Sequence, residues 1–227
     1  MKIVIFAPHP DDEVYGCGGS ILKWMEEEHD VHVVYVTDNC ALISWGRKSN
    51  ELIEEEAKDY INLTEEEIGK IGLDEARKAA KAFGFPESNI HLFEFHDQDA
   101  MNRIEEGIKL SKEIVKDADR LVIPSDNNNH PDHQATHIMA KTAAQELKLT
   151  NVEFYVYTLY NVLKAPTEKH IKVKMVEYRD KLYNLMKIYK TQITLSTSKT
   201  AWQTLKRRRK ERFGLFFLEE AGNYYNF

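Results

Sequence analysis

Short apolar runs, each about as long as one β-strand, recur along the first two thirds of this chain between stretches of helical character. The first run, residues 2–7, is β-branched and leads to Pro8 and Pro10, so it predicts a buried strand that ends in a loop. A helix-like segment and a second strand follow, and this strand–helix–strand order predicts a parallel sheet. We therefore expect an α/β fold, a Rossmann-like three-layer sandwich with a mostly parallel sheet. The predicted strands are residues 2–7, 31–37, 90–95, 120–124 and 152–157.

Capping residues and apolar periodicity predict helices between these strands. Gly16, Gly18 and Gly19 are expected to loosen the backbone, and Ser20 to cap the first helix. Gly84 predicts the C-terminal end of another helix. The predicted helices are residues 20–28, 74–83, 104–116 and 131–147.

The remaining segments are less regular. Residues 38–73 are polar and rich in glutamate, so their Glu-rich parts predict helix and the Trp45-Gly46 region a loop. We expect a single domain over residues 1–227, with a core of about residues 1–160 and a helical or extended C-terminal part. In that part, the predictions are a strand at 171–176 and helices at 177–192 and 199–212. The aromatic tail, with Tyr224, Tyr225 and Phe227, is expected to pack on the body or on another subunit of a homo-oligomer.

Charge and cysteine content restrict the partners and the compartment. The net charge of −6 and the pI of about 5.9 argue against nucleic acid as the main partner. The basic cluster at residues 206–210 is interpreted as a solvated helix face, with an anion contact as the alternative.

Cys17 and Cys40 have no CxxC spacing, so they indicate neither a disulfide framework nor a cysteine zinc site. No segment is apolar enough to span a membrane, and a cytoplasmic location is expected.

The loop after the first predicted strand carries His9-Pro10-Asp11-Asp12-Glu13. Ligand sites in open α/β sheets form outside the carboxyl ends of strands, where this loop is expected. His9 and Asp12 are typical ligands for Zn²⁺ or a similar divalent ion. Consecutive side chains on a non-helical backbone point in different directions, so one aspartate can bind metal while the other acts on a metal-bound water. This arrangement indicates hydrolysis with a carboxylate as the general base.

A second group, His130-Pro131-Asp132-His133, follows the fourth predicted strand. Pro131 fits the first turn of a helix, so His130 and His133 can reach one pocket from a single turn. One of the two histidines would complete three protein ligands and leave a position open for water, as in catalytic zinc sites. The other would stabilise an oxyanion or protonate a leaving amine, and Asp132 would fix a histidine's second ring nitrogen.

These two groups resemble the signatures of the PIG-L/LmbE-like N-acetylglucosaminyl deacetylase family. The family's opening signature, a strand followed by A-H-P-D-D-E and a glycine-rich turn, appears here as residues 7–19 with Pro8 inserted. Its second signature, H-P-D-H at the start of a helix, stands at residues 130–133. The resemblance covers about residues 1–150. Two weaker similarities are Phe95-His96-Asp97 and Tyr189-Lys190-Thr191-Gln192.

The resemblance implies a metal site and a substrate class. His9, Asp12 and His133 would be the metal ligands, usually for zinc, and no other cofactor is implied. The reaction would remove the N-acetyl group from a small N-acetylated sugar that contains GlcNAc. Residues 38–73, where family members commonly place substrate contacts, are atypical here.

The resemblance also implies catalytic roles. Asp11 would be the general base on the metal-bound water, and His130 would stabilise the tetrahedral intermediate or act as general acid. Asp132 would orient His130, whereas Glu13 would secure the loop.

Two other functions fit parts of the same pattern. A metal-dependent amidase with a non-sugar N-acyl substrate would use the same residues. A non-catalytic nucleotide- or phosphate-binding α/β module would instead use Gly16, Gly18 and Gly19 as a phosphate loop. The Gly-x-Gly-Gly spacing and the preceding carboxylates argue against that module.

Overall fold

In the computed structural model, which describes residues 1–218, seven strands form one sheet. They are β1 (Lys2–Ala7), β2 (Asp30–Thr37), β3 (Ile90–Phe95), β4 (Arg120–Pro124), β5 (Glu153–Tyr157), β6 (His170–Lys174) and β7 (Lys210–Phe216). Their order across the sheet is β3-β2-β1-β4-β5-β7-β6. The pairs from β3 to β5 are parallel, whereas β7 is antiparallel to both β5 and β6. The predicted mostly parallel sheet is therefore confirmed.

Eight α-helices accompany these strands in the described part of the chain. They are α1 (Asp12–Glu26), α2 (Leu42–Lys48), α3 (Glu54–Ala57), α4 (Glu65–Phe83), α5 (Ile104–Val115), α6 (Pro131–Glu146), α7 (Arg179–Met186) and α8 (Ser196–Leu205). Short 3-10 helices lie at Glu87–Asn89, Ala100–Arg103, Thr167–Lys169, Val176–Tyr178 and Gln192–Thr194.

The sheet has an apolar core on each face, because successive side chains of a strand point to opposite sides. Ile3 and Ile5 pack into the core formed with α1, α4, α7 and α8. Val4 and Phe6 pack into the second core, formed with α5 and α6. Helices on both faces of a central sheet give the expected three-layer α/β sandwich.

The first helix begins earlier than predicted. It starts at Asp12 and includes all three glycines, with a kink at Cys17 (φ −149°), so the expected start at Ser20 is wrong. A Cβ at Gly16 would lie 2.5 Å from Cδ2 of Tyr157, and one at Gly19 would lie 2.5 Å from Cβ of Met175. These glycines therefore allow α1 to approach the rest of the core closely, and all three are buried.

The segment at residues 38–73 is more helical than predicted. The Trp45-Gly46 region lies inside α2 instead of a loop, because Leu42 and Ile43 pack with Ile68 and Leu195 in a small apolar cluster. The next long helix starts at Glu65 rather than at residue 74. Thr64 caps it, since its Oγ1 accepts a hydrogen bond from the backbone N of Glu67 while the Glu67 carboxylate accepts one from the backbone N of Thr64.

The C-terminal part differs most from the sequence prediction. Helix α8 ends at Leu205, and residues 210–216 form strand β7, so the predicted helix at 199–212 is wrong in its second half. The basic cluster consequently leads from a helix end into a strand and does not form one helix face. Residues 210–216 form a strand instead of a helix because they pair with both β5 and β6 in the sheet.

Two further expectations concern the whole chain. Within residues 1–218, none of the helices is both long and apolar enough to cross a membrane. The aromatic tail with Tyr224, Tyr225 and Phe227 lies outside the described residues.

Candidate active site

Both histidine-containing motifs lie at the carboxyl ends of two neighbouring parallel strands, β1 and β4. The His9 ring is 4.7 Å from the His130 ring and 5.3 Å from the His133 ring, measured between centroids. The topology thus brings together residues that are more than a hundred positions apart in the chain.

The loop that carries His9 is fixed from two sides. The backbone N and Oγ1 of Thr37, at the end of β2, donate to the carbonyl O of Pro8 at 2.9 and 2.8 Å. Nε2 of Gln192 donates to the carbonyl O of Pro10 at 3.0 Å. Asp11 then adopts a left-handed conformation with φ 106°, which is costly for a residue with a side chain and typical of functional sites.

Asp12 places one carboxylate oxygen between two imidazoles. Its Oδ2 is 3.2 Å from Nδ1 of His9 and 3.5 Å from Nε2 of His133. Tetrahedral zinc ligands about 2.0–2.1 Å from the ion are about 3.3 Å from one another. The spacing, the burial and the mixture of imidazole and carboxylate therefore suit a divalent metal ion, and these three residues form a group able to hold one.

The other ring nitrogen of His9 faces two more carboxylates. Nε2 lies 3.2 Å from Oδ2 of Asp132 and 3.3 Å from Oδ1 of Asp97. A metal-binding histidine normally donates its second N–H to such a partner, which fixes the tautomer. His9 is thus surrounded by Asp12, Asp97 and Asp132, and a dication would neutralise this excess of negative charge.

Asp132 lies closer to His9 than to His130. Its Oδ2 is 4.0 Å from Nδ1 of His130, while it accepts a hydrogen bond from the backbone N of Gln98 at 2.7 Å. Its Oδ1 accepts one from the backbone N of Ala100 at 3.1 Å. The carboxylate therefore connects the start of α6 with the loop after β3 and with His9.

The protonation equilibria of the site follow from burial and these contacts. Burial lowers the pKa of His133 to about 4, so the ring is neutral at pH 7, as a metal ligand must be. Burial also acts to lower the pKa of His9, but hydrogen bonds to Asp12, Asp132 and Asp97 raise it well above its usual value. For Asp132, burial is outweighed by hydrogen bonds from His9 and the backbone N of Gln98, and its pKa is about 2.

Asp11 and Glu13 occupy different environments although both are buried. Asp11 lines the cavity, and burial together with the charges of Asp12 and Glu13 raises its pKa well above the usual value. Glu13 accepts a hydrogen bond from Oη of Tyr189 at 2.5 Å and another from the backbone N of Asp11 at 3.2 Å. Glu13 does not line the cavity and secures the loop through these contacts.

His130 is the most exposed of the histidines and aspartates in the two motifs. Its side chain is 38% exposed and lines the cavity, and its backbone N donates to Oδ1 of Asn128 at 2.9 Å. Burial, followed by the charge of His9, lowers the pKa of its imidazole. A neutral ring at the cavity wall can donate a hydrogen bond to a bound molecule or accept one from it.

The cavity has a volume of about 420 Å³ and contains His9, Asp11, Asp12, His130 and His133 in its wall. Its remaining wall comes partly from residues 38–73, where the family resemblance places substrate contacts, and partly from segments for which the sequence indicated no role. Asp97 and Gln192 belong to the two weaker family similarities. Trp45 comes from α2 and is 42% exposed. The other lining residues, which sequence reasoning missed, are Asn39, Leu42, Gln98, Asn128, Tyr160, Leu195, Thr197 and Ser198.

The fold and the site define an α/β protein with a histidine–aspartate centre at the carboxyl edge of its sheet. Residues 4–144 match the model of the PIG-L family, described as GlcNAc-PI de-N-acetylase. Because this match covers more than half of the chain, the protein belongs to that family.

Solved structures with the same fold include a deacetylase and a hydratase. N,N′-diacetylchitobiose deacetylase from Pyrococcus horikoshii has a TM-score of 0.72 and 20% identity, over 97% of this chain and 85% of that one. The 4-carboxy-2-hydroxymuconate hydratase from Pseudomonas putida has a TM-score of 0.62 and 15% identity, over 96% and 95% of the two chains. At such identities the likeness shows the fold. Family membership, together with the structural similarity to this deacetylase, supports the assignment of the present protein as a deacetylase.

One curated relative matches over a short stretch. A putative glucosamine-6-phosphate deaminase-like protein of Bacteroides thetaiotaomicron is 50% identical over 36 residues. The match spans 16% of this chain and 5% of that relative's length.

Proposed function

We propose that the protein is a zinc-dependent hydrolase that removes the N-acetyl group from a neutral, GlcNAc-containing small molecule. The observation that carries this proposal is the position of the Asp12 carboxylate between His9 and His133, with Asp11 beside it in the same cavity wall. That arrangement places a metal-ligand set and a separate carboxylate base next to one another.

His9, Asp12 and His133 would hold the ion. When bound, a divalent ion supplies Lewis acidity and lowers the pKa of its water ligand. Asp132 and Asp97 would accept a hydrogen bond from Nε2 of His9 and so keep the N–H on that nitrogen. The Nδ1 atom, which faces Asp12, would then carry the lone pair that binds the ion. The two carboxylates thus act through His9 as positioning groups.

The remaining polar residues act on the proton and on the substrate. Asp11 takes the proton of the attacking water, because it lines the cavity while its neighbour Asp12 is held by two histidines. His130 stabilises the tetrahedral oxyanion or protonates the leaving nitrogen, since its ring reaches the cavity from the start of α6. Acetate and a free amine are the products.

The cavity wall favours an uncharged substrate. Among residues 1–218, the wall contains hydroxyl, amide, carboxylate and imidazole groups together with Trp45 and Tyr160, but neither lysine nor arginine. Within the described residues, the wall thus offers no cationic side chain that could bind the phosphate of a phosphorylated sugar. Its hydroxyl and amide groups can instead form hydrogen bonds with sugar hydroxyls. This composition also disfavours a phosphate-binding module.

A substrate panel tests the proposal. Acetate and primary amine release would be measured for N-acetylglucosamine, N,N′-diacetylchitobiose, GlcNAc-6-phosphate and a non-sugar N-acetyl amide, with the Asp11→Asn variant as control. We expect zinc-dependent release from an uncharged sugar and little from the phosphorylated one. Release from the non-sugar amide alone would support the amidase alternative, and release from none of these compounds would overturn the N-deacetylase proposal.

A further inference from the structure

A second group of metal-ligand side chains lies outside the site described above. It consists of Cys40, Glu65 and His96, each of which offers a ligand atom within 4.8 Å of the other two. The three residues come from different elements: the segment after β2, the first residue of α4 and the segment after β3. Such convergence of a thiol, a carboxylate and an imidazole is not a consequence of neighbouring positions in the sequence.

Two of these side chains are oriented by hydrogen bonds from their unused atoms. Nδ1 of His96 lies 2.8 Å from the carbonyl O of Asp97 and donates to it, which leaves Nε2 facing Oε2 of Glu65 at 3.6 Å. Oγ of Ser44 donates to the other carboxylate oxygen, Oε1 of Glu65, at 2.5 Å. This is the pattern in which surrounding groups fix the ring and the carboxylate of a metal site.

The cysteine is held underneath the two exposed ligands. Cys40 is a free, buried residue that follows Asn39, whose φ of 61° is left-handed, and its backbone N donates to Oδ1 of Asp38 at 3.0 Å. Glu65 and His96 have side chains that are 45% and 56% exposed, so an ion can enter from solvent. Burial and the Asp38 carboxylate raise the pKa of the Cys40 thiol, so metal binding would displace a proton and strengthen as the pH rises.

We propose that Cys40, Glu65 and His96 form a second divalent-cation site, suited to Zn²⁺, with solvent completing the coordination. A thiolate, an imidazole and a carboxylate are all accepted zinc ligands, whereas Mg²⁺ and Ca²⁺ prefer oxygen alone. The separation of 3.6 Å between the His96 and Glu65 ligand atoms is near the roughly 3.3 Å expected between two ligands of a tetrahedral zinc ion.

This second site is connected to the first through Asp97. The backbone N of Asp97 donates to Oδ1 of Asp38 at 3.0 Å, and the backbone N of Ala41 donates to Oδ2 of Asp97 at 3.2 Å. The other carboxylate oxygen of Asp97 contacts His9. An ion held by Cys40 and His96 would therefore tie together the two strand-end segments that hold Asp97 in place.

Cobalt titration of the full chain tests this proposal independently of catalysis. A cobalt–thiolate bond gives a near-ultraviolet charge-transfer band, and the first site contains no thiol. The variants are Cys40→Ser, His96→Ala and Asp12→Ala, with Cys17→Ser as the matched control because Cys17 is the chain's other cysteine. His96→Ala changes an exposed side chain and leaves the thiol intact, so it remains informative if Cys40→Ser fails to fold.

We expect the wild-type protein, Cys17→Ser and Asp12→Ala to show the band. Cys40→Ser should lose it, and His96→Ala should weaken Co²⁺ binding at this site by about tenfold or more. Zinc should abolish the band by competition. The absence of the band in the wild-type protein at saturating Co²⁺, or its persistence in Cys40→Ser, would overturn the proposal.

Discussion

The hydroxyl of Tyr189 donates a hydrogen bond of 2.5 Å to the buried carboxylate of Glu13. Glu13 in turn accepts from the backbone N of Asp11, the residue proposed as the base. A residue from the C-terminal part of the chain thus holds the loop that carries the first motif. Burial, opposed by the hydrogen bond from Tyr189, raises the pKa of Glu13 to about 7.

Replacing Tyr189 with Phe should destabilise the protein by about 1–3 kcal/mol, because it leaves a buried carboxylate without its strongest donor. Urea unfolding at pH 7 measures this change. Tyr183→Phe is the control, since the Tyr183 ring stacks on Trp202 outside the Glu13 network. Equal stabilities of Tyr189→Phe and the control would show that the contact with Glu13 contributes nothing.

Gly16→Ala should destabilise the protein by about 1–3 kcal/mol through overpacking. The added Cβ would meet the Tyr157 ring, which is held because its hydroxyl donates to the carbonyl O of Phe6 at 2.7 Å. Thermal unfolding of the variant and the wild type measures this loss of stability. Inorganic phosphate should raise the unfolding temperature of neither protein. Phosphate protection that Gly16→Ala abolishes would instead support a phosphate loop at these glycines.

Glu75 should make stability depend on pH. Burial raises its pKa to about 7 in the folded state, from an ordinary value of 4.5. The folded state therefore binds the proton more tightly, so this contribution to stability is present below pH 4.5 and is lost as the pH rises towards 7. Glu75→Gln should remove this contribution to the pH dependence while it keeps an acceptor for Thr191, whose backbone N and hydroxyl now donate to the carboxylate.

Urea midpoints from pH 4.5 to 7.5 measure this difference. Glu66→Gln is the matched control because Glu66 lies on the same helix with a side chain that is 78% exposed. Parallel pH profiles of wild type and Glu75→Gln would contradict the assignment.

Trp45→Ala should weaken substrate binding without loss of stability. Trp45 lines the cavity and remains partly exposed, so its ring is available to stack on a sugar face. We expect KM to rise about 3- to 10-fold with little change in kcat, since the contact is made equally in ground and transition states. Val176→Ala, a change at an exposed residue that does not line this cavity, serves as control. An unchanged KM in Trp45→Ala would exclude this role.

Much of the fold could be predicted from the sequence because its first five strands are short, mainly apolar segments rich in β-branched and aromatic residues. Strand β3, for example, has the predicted bounds Ile90–Phe95. Strand β7 could not be predicted in this way, since Lys210, Glu211 and Arg212 give no apolar run. Glu211 is buried there because it accepts hydrogen bonds from the backbone N atoms of Gly19 and Ser20, a partnership that only the tertiary structure creates.

The candidate site shows the same contrast. Its two motifs could be found because their ligand types stand close together in sequence. The contact of Asp132 with His9, and the place of Asn39 and Tyr160 in the cavity wall, depend on how distant segments pack. The substrate-contacting surface is therefore less predictable than the proposed metal-binding centre.

The most direct test of the proposed mechanism is zinc content measured together with turnover, in a His96→Ala background that weakens zinc binding at the second proposed site. Asp11→Asn should retain about one zinc ion per chain, because Asp11 is not a ligand, and should lose about 10²- to 10⁴-fold in kcat, because the base is gone. Asp12→Ala and His133→Ala should lose both zinc and turnover. Full activity in Asp11→Asn, or full zinc content and activity in Asp12→Ala, would contradict the account.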